Sequence, residues 1–157
     1  MADNLATQRR SANNLAVGIG ESYSVKALTA TFSLAAASAA DTITFGRIPA
    51  GARIMGASAY ANDDLATAGA PTLDIGLFAV NGNITSDDDA LNDGIDLANA
   101  GSGKVVKDHA NYGKKAWEFV NGQTTDPGGE FIVRGTVKDA ATNQTGDVTI
   151  EIMYVVD

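Results

Sequence analysis

The sequence has no cysteine in its 157 residues. That excludes disulfides, zinc–thiolate centres and thiol redox chemistry, and it fits synthesis in a reducing cytoplasm. Histidine occurs once, as His109, so any Ser-His-Asp or Cys-His relay would have to run through that residue. It sits in the polar stretch Lys107-Asp108-His109-Ala110-Asn111 and reads as a surface residue; no Gly-x-Ser-x-Gly elbow accompanies it. Neither an enzymatic activity nor a cofactor is expected. Basic residues are scarce, 11 against 19 acidic, for a net charge of -8. This balance opposes nucleic-acid binding, which needs lysine and arginine to displace counterions from phosphates. Long apolar runs are missing too. The stretch from Leu34 to Ala40 is mostly alanine and stops at Asp41, so neither a signal peptide nor a membrane span is expected.

Several short patterns imitate functional motifs and fail on spacing. In Gly101-Ser102-Gly103-Lys104 the positions a phosphate loop reserves for its first glycine and for Ser or Thr hold Ala98 and Val105. The most acidic run, residues 86–96, could hold calcium through its carboxylates. Counted as an EF-hand from Asp89, it puts Leu91 and Ala100 at ligand positions. A solvated loop or the start of a capped helix over residues 86–92, with Ser86 as N-cap and Gly94 as terminator, is the expectation there. Asn83-Ile84-Thr85 and Asn143-Gln144-Thr145 match a glycosylation acceptor, but without a secretory signal they read as turn sequence.

What the chain does contain is alternation. Leu28, Ala30, Phe32 and Leu34 alternate with Thr29, Thr31 and Ser33; Ile43 and Phe45 alternate with Thr42 and Thr44. Period 2 is the mark of a half-buried strand. Pro49-Ala50-Gly51 predicts a turn, followed by a third strand over 52–61. Residues 72–80 predict the clearest strand, closed by a turn at Asn81-Gly82-Asn83. Residues 95–103 read as a connector. Short strands are expected at 104–106 and 116–120, the second placing Trp117 and Phe119 on one face. Trp117 fits equally an exposed interface anchor and a core filler. After the turn Asp126-Pro127-Gly128-Gly129, two long strands close the chain, one built on Phe131, Val133 and Val137, the other on Val148, Ile150, Ile152, Tyr154 and Val156. Seven to nine strands with 17 glycines and no long amphipathic helix predict an all-β sandwich or jelly roll. A chain of this size can build its core without metal or disulfide.

The first 24 residues are different. They are polar and show no sustained period; Leu5, Leu15, Val17 and Ile19 are their only large aliphatic residues of the Leu, Val and Ile types. The expected organisation is an extended N-terminal arm, 1–24, followed by a β-sandwich domain, 25–157. The alternation of Leu15, Val17 and Ile19 suits strand addition to a neighbour's sheet.

The segment Thr42-Ile43-Thr44-Phe45-Gly46-Arg47-Ile48-Pro49-Ala50-Gly51-Ala52-Arg53-Ile54 resembles a strand–corner–strand pattern common in small virion proteins of tailed bacteriophages. The strand Thr72-Leu73-Asp74-Ile75-Gly76-Leu77, the run Asp89-Ala90-Leu91-Asn92-Asp93-Gly94-Ile95-Asp96 and the closing strand with Val148, Ile150 and Tyr154 are similar to the same group. The resemblance covers residues 25–157 and points to capsid decoration, cement or head-stabilising proteins. It implies a jelly-roll-like β-sandwich on the outer surface of an icosahedral head, often trimeric, that bridges subunits of the major capsid protein without binding nucleic acid or membrane. Expected interface residues are Leu5, Leu15, Val17 and Ile19 in the arm, Arg47 and Arg53 flanking the corner, and Trp117. The alternatives are another virion part (head fibre base, neck or minor tail protein) and a carbohydrate-binding module. The second would need an aromatic platform, which 6% scattered aromatics supply poorly.

Overall fold

A computed structural model describes residues 24–80 and 85–156. The arm expectation, with Leu5, Leu15, Val17 and Ile19, and the expected turn at Asn81-Gly82-Asn83 lie outside the described residues. Within them the chain forms nine strands: β1 Lys26–Ala35, β2 Thr42–Pro49, β3 Arg53–Ile54, β4 Ala59–Asn62, β5 Thr72–Ala79, β6 Asp87–Asp96, β7 Gly101–Lys104, β8 Glu130–Lys138 and β9 Thr145–Val155. One antiparallel sheet has the order β1-β9-β4-β7, with β3 also on β9; the other has the order β2-β8-β5-β6. The all-β sandwich expectation holds.

The alternating residues explain why the sheets face each other. Leu34 from β1 and Val148, Ile150 and Ile152 from β9 meet Ile43, Phe45 and Ile48 from β2, Leu73, Ile75 and Leu77 from β5, and Phe131, Val133 and Val137 from β8. Most of these side chains are fully buried, and each contributes roughly 1.5–3 kcal/mol relative to exposure. The register is continuous between β1 and β9, from Lys26↔Tyr154 to Ala35↔Thr145. The pairing of β2 with β8 shifts between Thr44 and Gly46. The extra residue switches the inward parity from Ile43 and Phe45 before it to Ile48 after it, all three buried.

Both expected corners form. Ala52 N–H donates to the Pro49 carbonyl at 3.0 Å. Gly128 N–H donates to Asp126 Oδ1 at 2.8 Å, with positive φ at Gly128 and Gly129.

Four local expectations are corrected. Residues 86–92 do not form a helix; residues 87–92 belong to β6 and Ser86 directly precedes it. Ser86 Oγ accepts the Ala79 N–H of neighbouring β5 at 2.9 Å rather than capping a helix, and Leu91, Asn92 and Ile95 are buried against the core. The connector over 95–103 contains the end of β6 and β7, while residues 105 and 106 follow β7 as buried core rather than strand. The third strand is split by a turn at 55–58. Fully buried Ser58 donates its hydroxyl to the Met55 carbonyl at 2.8 Å and accepts Met153 N–H at 3.0 Å, replacing ladder pairing with side-chain bonds. Residues 116–120 form a 3-10 turn, Ala116–Phe119, because Glu118 Oε2 folds back to accept Lys115 N–H at 2.6 Å.

Candidate interaction surface

Trp117 is far in sequence from Arg47 and Arg53, yet its backbone is held against the corner those two arginines flank. Ala116 N–H donates to the Ala52 carbonyl at 2.8 Å and Trp117 N–H to the Ala50 carbonyl at 3.2 Å, so the 3-10 turn lies against Pro49-Ala50-Gly51. Arg53 Nη1 donates to the Gly113 carbonyl at 3.2 Å. Arg47 faces Glu130 across the ladder at 3.7 Å, with both side chains about half exposed. Trp117 is partly buried and packs on the core. Its indole Nε1 is enclosed without a hydrogen-bond partner. Because the segment is a turn, strand parity no longer places Trp117 and Phe119 on a shared face. This end of the sandwich is polar at its rim and apolar beneath, a composition suited to protein contact.

The acidic run builds a second feature. Gly76 on β5 lets β6 approach closely: a Cβ there would lie 2.3 Å from the Asp87 carbonyl oxygen and 2.5 Å from Asp88 Cα. The pairing of β5 with β6 shifts twice, between Leu73 and Ile75 and between Ile75 and Leu77. Asp87, Asp88 and Asp89 thereby bring a carboxylate oxygen each to within 4.8 Å of one another. Two of the three are engaged by protein donors: Asp87 Oδ2 accepts Asn121 N–H at 2.7 Å, and Asp88 Oδ2 accepts Lys138 Nζ at 2.6 Å. Lys138 also stands 3.7 Å from the Asp74 carboxylate, which accepts Gly94 N–H at 2.9 Å. The hydrogen bond from Lys138 holds Asp88 below the usual carboxylate range, and the same bond raises Lys138. Burial pushes Asp74 up. Asp89, hydrogen-bonded to Asp87 and repelled by it, is raised to about 6. The cluster is therefore an acid patch with a lysine as its internal counter-ion. Lys138 was not anticipated from sequence: its period-2 placement with Arg134 and Thr136 was legible, but the pairing that sets it opposite Thr72, beside Asp74, was not.

His109 is no part of either feature. Its imidazole is 92% exposed, with Nδ1 3.8 Å from Asp108. Among the described residues, no helix is long and apolar enough to cross a membrane.

No protein-family model matches the sequence, and comparison with curated proteins finds no match. Among solved structures the chain is similar to a chain of the capsid asymmetric unit of cyanophage Pam1. The TM-score is 0.62 at 19% identity, over 87% of this chain and 87% of that one. At that identity the likeness establishes a common fold.

Proposed function

We propose that this chain is a virion structural protein of a tailed bacteriophage. Specifically, it is a decoration or cement subunit that sits on the outer surface of the head, binds the major capsid protein and bridges its neighbouring copies as a homotrimer. The observation that carries the reading is the fold shared with a phage capsid chain over 87% of both chains. The strand orders β1-β9-β4-β7 and β2-β8-β5-β6 support the jelly-roll part of it. With β3 set aside as a short addition, the remaining eight strands fall into two four-stranded sheets, as in jelly rolls. The net charge of -8 suits a place outside the head, away from packaged DNA. The reading assigns no catalysis and no cofactor; the work is mechanical. Arg47, Arg53 and Trp117 would supply contacts from the folded domain, and Leu5, Leu15, Val17 and Ile19 those of a clamp. Quantitative mass spectrometry of purified particles tests it. Many copies per head, as trimers in native spectra of the free protein, are expected; a few copies per particle would instead assign the chain to a vertex, neck or tail.

A further inference from the structure

Among the described residues the sandwich has four sheet edges, and three are blunted against pairing. Edge strand β6 carries five aspartates and two register breaks. Edge strand β7 is four residues long with two glycines. Edge strand β2 carries the shift at Gly46 and ends at Pro49. Edge strand β1 has none of these features. It is ten residues long, with a single charge at Lys26 and no glycine, proline or register break. Its inner face is also incompletely covered. Leu28 is half-buried, close over Gly46 of the opposite sheet, but Phe32, of the same parity, is 43% exposed. Phe32 opens onto a cleft of about 550 Å³ lined by Leu34, Ala37, Asp41 and Ile43.

We propose that the β1 edge is the docking site for residues 15–21 of a second copy of this chain, added antiparallel as a further strand. This deepens the reading of a self-associating shell subunit and rests on it. Twenty-three residues precede Ser24, and they contain one alternating apolar stretch, Leu15, Val17 and Ile19, with Glu21 continuing the same parity. One antiparallel register matches both chemistry and parity: Glu21 opposite Lys26, Ile19 opposite Leu28, Val17 opposite Ala30 and Leu15 opposite Phe32. It joins the single charge of the edge to an opposite charge and covers the exposed phenyl ring with leucine. A hairpin within one chain in that register would turn through Ser22-Tyr23-Ser24-Val25, where serine is the only turn-forming residue type and Tyr23 and Val25 favour extended strand. In the proposed arrangement the exchange runs between copies.

The absence of cysteine makes the test direct. In the proposed register Ala16 stands opposite Thr31, both on the outward parity. Full-length Ala16→Cys and Thr31→Cys chains, mixed and mildly oxidised, should give a disulfide-linked heterodimer, with Ala16→Cys plus Thr67→Cys as the unlinked control. Glu21→Lys in the first chain should cut the yield several-fold, and Lys26→Glu in the second should restore it. No heterodimer, or an Ala16→Cys/Thr31→Cys double variant that links only within single chains, overturns the exchange. Co-sedimentation of the unmodified chain with phage heads is scored separately. Binding to heads without cross-links discards the exchange and keeps the shell reading; failure to bind discards the shell reading itself.

Discussion

Lys138 of β8 crosses over β5 to hold Asp88 of β6, with Nζ 2.6 Å from Oδ2, while standing 3.7 Å from the buried Asp74 carboxylate. One cation thus ties three neighbouring strands at their most acidic point. Lys138→Met should destabilise the fold by about 1–2 kcal/mol at pH 7, between the worth of exposed and buried pairs. The loss should shrink as pH falls to about 2, Asp74 becoming neutral first and Asp88, held below the usual carboxylate range by Lys138, last. Urea unfolding at the two pH values measures it.

Asp89 titrates at about 6 in the fold against 3.8 ordinarily. A carboxyl raised on folding binds more protons folded than unfolded between those values, so its contribution to stability falls as pH rises from 3.8 through 6. Asp89→Asn should therefore raise the melting temperature at pH 7.5, and the gain should vanish by pH 3.5. Melting curves of both proteins across that range check the sign.

Gly76 and Gly94 separate packing from backbone strain. A Cβ at 76 would collide with backbone of Asp87 and Asp88, whereas at 94 it meets nothing within 4 Å and the only obstacle is φ +81. Gly76→Ala should cost about 3 kcal/mol or more by displacing β6. Gly94→Ala should cost about 1–2 kcal/mol. Chemical denaturation of the two variants gives the comparison.

Asn62 is buried and its amide donates to the carbonyls of Asp63, Asp96 and Asn99, at 2.9, 3.1 and 2.9 Å. Asn62→Leu leaves three carbonyl oxygens without that donor. A loss of about 2–3 kcal/mol is expected, read as a lower urea midpoint with an unchanged slope.

The strands that could be read from sequence were those whose apolar residues alternate on a half-buried face: β1, β2, β5, β8 and β9. β6 could not, because its aspartates and asparagine mask Leu91 and Ile95, and its acidic start imitates a helix cap. What decided it was nonlocal: Gly76 giving the strand room, and Ala79 N–H taking the Ser86 hydroxyl oxygen. Trp117 failed as a strand residue because Glu118 bonds Lys115 locally, a cap that alternation counting ignores. Of the proposed contact residues, Arg47 and Arg53 could be placed beside the corner they flank. The Lys138 bridge and the exposed Phe32 depend on which strands become neighbours, and a single sequence does not state that.

In the proposed function this sandwich coats the outside of a phage head. Cryo-electron microscopy of particles containing the protein tests it most directly. Density for this β-sandwich domain should repeat across the outer capsid surface at the junctions between major capsid subunits, with the β1 edge continued by a strand from a neighbouring copy. Density confined to one vertex or to the tail, or none outside the shell, would contradict it.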